Sequence, residues 1–144
     1  MKDITFDMIT TDDKSVNMRN MLDAIQMLMD EYDLSYDFSK EIISKYKAHA
    51  NNSGGRCEFL LSVKEWWDFW RTDNRWDNRG NKPENYVMAR VCDIGPYHKD
   101  NIYCCTIREN LIHCKGGLNI TEEVFNMYKR NREIYPEWYE DNIA

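Results

Sequence analysis

Met18, Leu22, Ile25, Met29 and Tyr32 are spaced four, three, four and three residues apart. That period lays one apolar stripe along a helix of about residues 15–33. Methionine on such a stripe fills a core, and it also adapts to an interface. A second helix is predicted to start near Asp37 or Ser39 and to bury Phe38, Ile42 and Tyr46. It runs into "HANNSGG", His49 to Gly55, where Asn and Gly break the pattern and mark an internal boundary. "CEFLLS" then reads as a short buried strand. "SVKE", Ser62 to Glu65, has the form of a capping box, with Ser as N-cap and Glu three residues on. It opens a short helix, "VKEWWDFW", on which Trp66 and Trp70 share a face at i, i+4.

The pattern then changes. "RTDNRWDNRGNKPEN" is a polar loop carrying three Arg and one Lys. Tyr86–Cys92 and Asn101–Thr106 are apolar runs separated by a Gly-Pro-Tyr turn, so they predict a hairpin. A helix of about Ile107–Lys115 follows and ends at "GG". Asn119 or Thr121 caps a last helix with Val124, Phe125 and Tyr128 on one face, and Pro136 ends it. The expected class is therefore α+β and mostly helical, an N-terminal helical pair followed by a hairpin-helix unit. Three regions are expected within one compact domain: 1–52, 56–117 and 118–144.

Charge sharpens this division. Residues 1–63 hold seven Lys and Arg against eleven Asp and Glu, and residues 118–144 hold three against six. Residues 64–117 hold nine against eight, so only the middle is not acidic. That balance argues against a broad nucleic-acid footprint and permits a small local one. No apolar run approaches the roughly 20 residues of a membrane span. "MKDITFDMITTDD" lacks the apolar core of an export signal, so no membrane partner and a cytoplasmic location are expected. Five Cys, an odd count with no CxxC pair, fit reduced thiols. Cys92, Cys104, Cys114 and His113 lack the paired spacing of a structural zinc site. The three Trp of "EWWDFW" suit base stacking or a small core, and the core reading is preferred.

Candidate chemistry concentrates in "YVMARVCDIGPYHKDNIYCCTIREN", Tyr86 to Asn110. One turn gathers Arg90, Asp93, His98, Asn101 and Asn110. A hairpin followed by a helix brings the end of strand one, the start of strand two and the first helical turn to the same side. Small metal-dependent nucleases group a divalent ion, a base and a loop-fixing Asn in this way. Asp93 before Gly95-Pro96 is also ordinary turn chemistry, and His98 and His113 also suit plain surface roles.

The stretches "RCEFLLSVKEWWDFW", "RWDNRG" and "YVMARVCDIGPYHKDNIYCCTIREN" together resemble the HNH-type (ββα-metal, His-Me finger) proteins common in bacteriophages. The likeness covers roughly Arg56 to Lys115, under half of the chain. It implies an HNH-like ββα unit, a site for a divalent metal (Mg or Mn) and DNA as a partner. It also implies the host cytoplasm as the location. Asn101 falls on the family's central Asn, which pins the loop. Asn110 falls on its last site position, a metal ligand. The chain departs from the family at strand one: Ala89 and Arg90 stand where an acidic residue and the catalytic His are usual. Asp93 and His98 lie beyond that position. They are the residues available as metal ligand and as base, with Arg90 beside them. Arg is no base near neutral pH, because its pKa exceeds about 12.

Two functions from different classes follow. The first is an HNH-like nucleic-acid-binding protein, either a divergent metal-dependent endonuclease or one with a disabled site. Arg75, Arg79, Lys82, Arg90 and Lys99, with Arg71 nearby, would supply its phosphate contacts. The second is a non-catalytic acidic protein that binds a host or phage protein, for example a nucleic-acid-binding or defence factor. Ala89-Arg90 favours the second. The oligomeric state is left open.

Overall fold

The computed structural model describes residues 3–114 and 119–140. The chain is α+β and divides into two compact units, Met1–Trp70 and Arg71–Ala144.

The first unit is helical, with α1 at Lys14–Tyr32, α2 at Tyr36–Ser53 and α3 at Val63–Trp70. Each start has a local cause. The Asp13 carboxylate accepts the Ser15 and Val16 amides at the head of α1, and the Ser35 hydroxyl accepts the Phe38 amide at the head of α2. Ser62 and Glu65 form both halves of a capping box before α3, at 3.0 and 3.1 Å. Asp33 adopts a left-handed conformation, φ 55°, and reverses the chain between α1 and α2.

The core of this unit is shared by α1, α2 and α3. Tyr46 is fully buried and donates from its hydroxyl to the Leu61 carbonyl at 2.6 Å. Its ring meets Trp66 edge-on at 5.8 Å. Trp66, Trp67 and Trp70 are all buried, and Phe38 meets Trp67 edge-on at 5.6 Å. The His49–Gly55 segment is therefore not a boundary. The helix continues through Ser53, and His49 accepts the Trp66 indole N–H on Nδ1 at 3.0 Å. The division falls instead between Trp70 and Arg71.

Two further expectations are corrected. Cys57–Ser62 forms no regular strand; Ser62 makes a bridge to Thr5, and Leu60 is exposed while Leu61 is buried. On α1 the buried stripe is Ala24, Met27 and Leu28 with Ile25, whereas Met18 and Leu22 are exposed. The cause is Asn20, on the face of Ala24, whose amide donates to the Met8 carbonyl at 2.6 Å. That bond turns this face toward the Phe6–Ile9 turn.

In the second unit β1, Tyr86–Arg90, pairs antiparallel with β2, Ile102–Thr106, with Tyr86 opposite Thr106 and Arg90 opposite Ile102. A helix, α4, Ile107–Cys114, begins at the next residue. Its abrupt start is a second capping box, "TIRE", in which Thr106 and Glu109 exchange bonds of 2.8 and 3.1 Å. Those bonds hold the Glu109 carboxyl below its usual pKa, the backbone N–H of Thr106 contributing most. The Asn85 and Pro83 carbonyls accept the Ile107 and Arg108 amides at 2.9 and 3.0 Å. The last helix, α5, Glu122–Ile134, is capped by the Thr121 hydroxyl. A 3-10 turn, Pro136–Trp138, follows it. On α5 Val124 is buried and Phe125 is exposed, so the face expected from the sequence is only partly the packed one. The predicted helix end at Lys115 lies outside the described residues. Among the described residues no helix is long and apolar enough to cross a membrane.

Two outcomes follow from the first core. Trp66→Ala is expected to cost about 3–5 kcal/mol of stability in urea melts, the usual loss for a buried Trp; a loss below ~1 kcal/mol would contradict this packing. Burial, with the Arg56 charge as a lesser cause, pushes the His49 pKa down from 6.5 to about 4. The unfolded chain therefore takes up a proton near pH 6.5 that the folded chain refuses until about pH 4. Stability falls as pH drops through that window, by at most about 3 kcal/mol, and the loss levels off below it. His49→Gln keeps an acceptor for Trp66 and should flatten the pH dependence between those limits; unchanged slopes would refute this origin.

Candidate functional site

The ladder ends at Arg90 and the chain turns a corner. Cys92 and Asp93 both take the left-handed conformation, with φ 58° and 55°. Two successive non-glycine residues there store strain, about 1 kcal/mol or more each, that neighbouring contacts must offset. The Val91 amide continues the pairing to the Asn101 carbonyl at 3.1 Å, and the Ile94 amide reaches back to Val91 at 3.3 Å. The Arg90 guanidinium spans the corner. It donates to the Gly95 carbonyl at 2.6 Å and to the Asp93 carboxylate at 3.2 Å, and it lies 5.4 Å from the centre of the Tyr97 ring. Its side chain is 14% exposed, against 54% for Asp93, so the acid is the more accessible of the pair.

Asn101 closes the other end of the turn and is fully buried. Its amide nitrogen donates to the Ile94 and Pro96 carbonyls, both at 2.9 Å. Its oxygen accepts from Tyr139 Oη at 2.9 Å and Asn131 Nδ2 at 3.3 Å. Gly95, φ 76°, fits between these groups: a Cβ there would stand 2.9 Å from Asn101 Nδ2 and 3.3 Å from Trp138 Cβ.

His98 sits on the C-terminal side of the turn. Its ring centre is 5.2 Å from that of Tyr135 and 5.0 Å from that of Trp138. Its Nδ1 accepts the Asp100 backbone N–H at 3.0 Å, so a neutral ring carries its proton on Nε2. In this arrangement the lone pair that would take a proton from water is engaged.

On the α4 side the Cys114 thiol approaches Asn110 Oδ1 at 3.6 Å and is within hydrogen-bond reach of Asp93. Burial raises the pKa of this thiol most, and the Asp93 charge raises it further. Asp93 and Asn110 are therefore brought to the same thiol, with Arg90 beside Asp93. His113 shares a 2.8 Å hydrogen bond with Tyr103 Oη through Nδ1. Among the described residues no three His, Cys, Asp or Glu side chains gather as a metal site. Asp93 and Asn110 offer three side-chain oxygens, one of them tied to Arg90, beside a protonated thiol. That set fits Mg²⁺ or Mn²⁺ poorly, because such ions favour near-octahedral oxygen ligation. The departure at Ala89 has a packing context: this residue is buried opposite Tyr103, where a carboxylate would be desolvated.

The basic residues are dispersed along the unit. Lys82 and Lys99 are exposed, and Arg75 and Arg79 are half-buried. The Arg79 guanidinium stacks 3.5 Å from the centre of the Trp76 ring.

The residues that sequence reasoning missed lie on α5 and after it. Arg130 and Asn131 both donate to the Asp100 carbonyl, at 2.8 and 3.0 Å. Tyr135 Oη donates to the Asp100 carboxylate at 2.8 Å, and its ring stacks on Trp138 at 3.8 Å. A signal for them existed: Val124, Tyr128, Asn131 and Tyr135 share one helical face at i, i+4, i+7 and i+11, with a single Asn inside it.

No protein-family model matches the chain, and neither the curated proteins nor the solved structures yield a match.

The corner geometry makes Gly95 a sensitive position. Gly95→Ala is expected to lose more than about 1 kcal/mol, because Ala pays for a left-handed φ and the new methyl displaces Asn101 or Trp138. Chemical denaturation measures it, and a variant as stable as the parent would show the turn to be built differently.

Proposed function

We propose that the chain is an HNH-like bacteriophage nucleic-acid-binding protein whose hairpin corner meets phosphates without cutting them. The observation that carries the non-cutting part of this reading is Arg90. Its guanidinium is braced by the Gly95 carbonyl and Asp93, and the sequence resemblance aligns it with the family's catalytic His. Arg suits phosphate and cannot take up a proton near neutral pH. His98 is no substitute while its Nδ1 holds the Asp100 amide. Exposed Lys82 and Lys99 add cationic ends in the part of the chain that is not acidic.

A second reading has its own support. Met18 and Leu22 are 58% and 50% exposed on α1, in the acidic first half of the chain. An apolar patch with acidic surroundings suits a basic protein partner, from host or phage.

The test is fluorescence anisotropy with duplex and single-stranded oligonucleotides across a salt series, beside a plasmid-nicking assay with Mg²⁺, Mn²⁺, Zn²⁺ and a chelator control. Binding should weaken with salt in a shallow log–log line, about −0.9 per duplex phosphate contact. Lys82→Ala and Lys99→Ala should each reduce the slope by up to about that amount, whatever the DNA sequence. No nicking is expected, because general-base help is worth about 10²–10⁴-fold. Metal-dependent nicking by the unaltered protein would overturn the non-cutting part. No binding to either DNA at low salt would overturn the whole reading and favour the protein partner.

A further inference from the structure

We propose that Asn131 on α5 is the positioning residue of the Ile94–Asn101 turn, acting through Asn101. The link to the reading above is that this turn carries Lys99 and the Gly95 carbonyl that braces Arg90.

The turn cannot hold itself. Its shape needs two left-handed residues at its start and a carboxamide at its end. Asn101 spends both N–H groups on the Ile94 and Pro96 carbonyls. Its oxygen must then face donors, or it stays buried and unsatisfied at a cost of about 1–3 kcal/mol. Only Asn131 and Tyr139 supply hydrogens to it among the described residues. Asn131 does more than Tyr139, because Nδ2 also reaches the Asp100 carbonyl at 3.0 Å and the oxygen of the Tyr139 hydroxyl at 3.1 Å, the hydroxyl that itself donates to Asn101. One fully buried amide thus addresses the last two residues of the turn. Its own oxygen is held by Arg130 Nε at 3.3 Å and Nη2 at 3.2 Å. That contact fixes which end of the amide points at the turn. The remaining C-terminal contacts, Tyr135 on Asp100 and Trp138 on His98 and Gly95, lie along the same segment.

The experiment compares backbone amide exchange in the full chain, in Asn131→Asp and in Tyr139→Phe. Asp has the volume of Asn and keeps an acceptor for Arg130, but when ionised it has no hydrogen to give. Exchange at Ile94, Asp100 and Asn101 should quicken roughly tenfold, while amides of the β1–β2 ladder and of α1 to α3 keep their rates. Tyr139→Phe removes one hydroxyl only and should produce a smaller rise at the same amides, which keeps the test decisive if the Asp variant does not fold. Parent-like rates in the turn, or an even rise throughout residues 71–140, would overturn the proposal. Where the parent binds a short DNA duplex, Asn131→Asp and Lys99→Ala should weaken binding by less together than the sum of their separate effects. Strict additivity would show that Asn131 does not act through the turn. Failure of the parent to bind overturns the nucleic-acid reading alone, and amide exchange still decides the role of Asn131.

Discussion

A carboxamide can donate two hydrogen bonds and accept two, and the buried side chain of Asn101 uses all four. The second unit is arranged around that constraint. A turn that directs the Ile94 and Pro96 carbonyls inward leaves two buried acceptors, and a single side chain able to serve both must itself be polar. Its oxygen then needs donors, which the strands do not provide. They come from the far end of the chain, at Asn131 and Tyr139. Leaving one partner out strands the others in a buried site, where an unmet polar group costs more than a made bond contributes.

The same constraint limits what the corner can do chemically. His98 is drawn into the clamp: its Nδ1 serves the Asp100 amide and its ring lies against Tyr135 and Trp138. Arg90 holds the strained Cys92–Asp93 corner by reaching Gly95. Both groups that could handle a phosphodiester are thereby fixed in orientation. Fixed cations and a fixed turn are assets for holding a charged backbone. A base must exchange protons with water in the same place, and a histidine committed to a backbone amide does so poorly. Binding and cleavage therefore make different demands on one turn, and on the proposed reading a braced Arg and a committed His answer to the first.

Features written locally were legible in the sequence. The Ser62–Glu65 capping box, the paired apolar runs around Gly95-Pro96 and the Thr121 cap depend on residues within a few positions of each other, and each appears where its local chemistry puts it. Features set by distant partners were not. The apolar stripe through Met18 and Leu22 is genuine, yet the buried face of α1 follows Asn20, whose partner Met8 lies on another element. Cys57–Ser62 has the composition of a strand but makes isolated bridges, Ser62 to the distant Thr5 among them, and no regular strand. At the candidate site, Arg90, Asp93, His98, Asn101 and Asn110 could be picked out as one neighbourhood. Their bonding could not, because it depends on α5 and on a thiol, Cys114, between Asp93 and Asn110. Asn131 stood on a readable helical stripe, but a polar residue at one position of an amphipathic face usually signifies an edge.

The two units reach their structures by different physics. The first relies on aromatic burial, with Tyr46 meeting Trp66 and Phe38 meeting Trp67 edge to face, and burial is largely indifferent to direction. Such a core tolerates apolar replacements that conserve volume. The second has a ribbon of two strands, too few to be stable alone, and α4 buries no residue at all. Beside a small buried core that includes Met88, Val91, Ile102 and Val124, its order is supplied by directional bonds that converge on Asp100 and Asn101. A directional network selects one conformation more sharply than it adds stability, since each bond exchanges for one with water at a net gain of only about 1 kcal/mol. Precision is thus concentrated at the turn that carries Arg90, Lys99 and His98. Tolerance lies in the first unit, where none of the residues of that corner stands. Two asparagines buried beneath a surface turn add little net stability for the desolvation they undergo, so what their bonds chiefly set is the conformation of the turn.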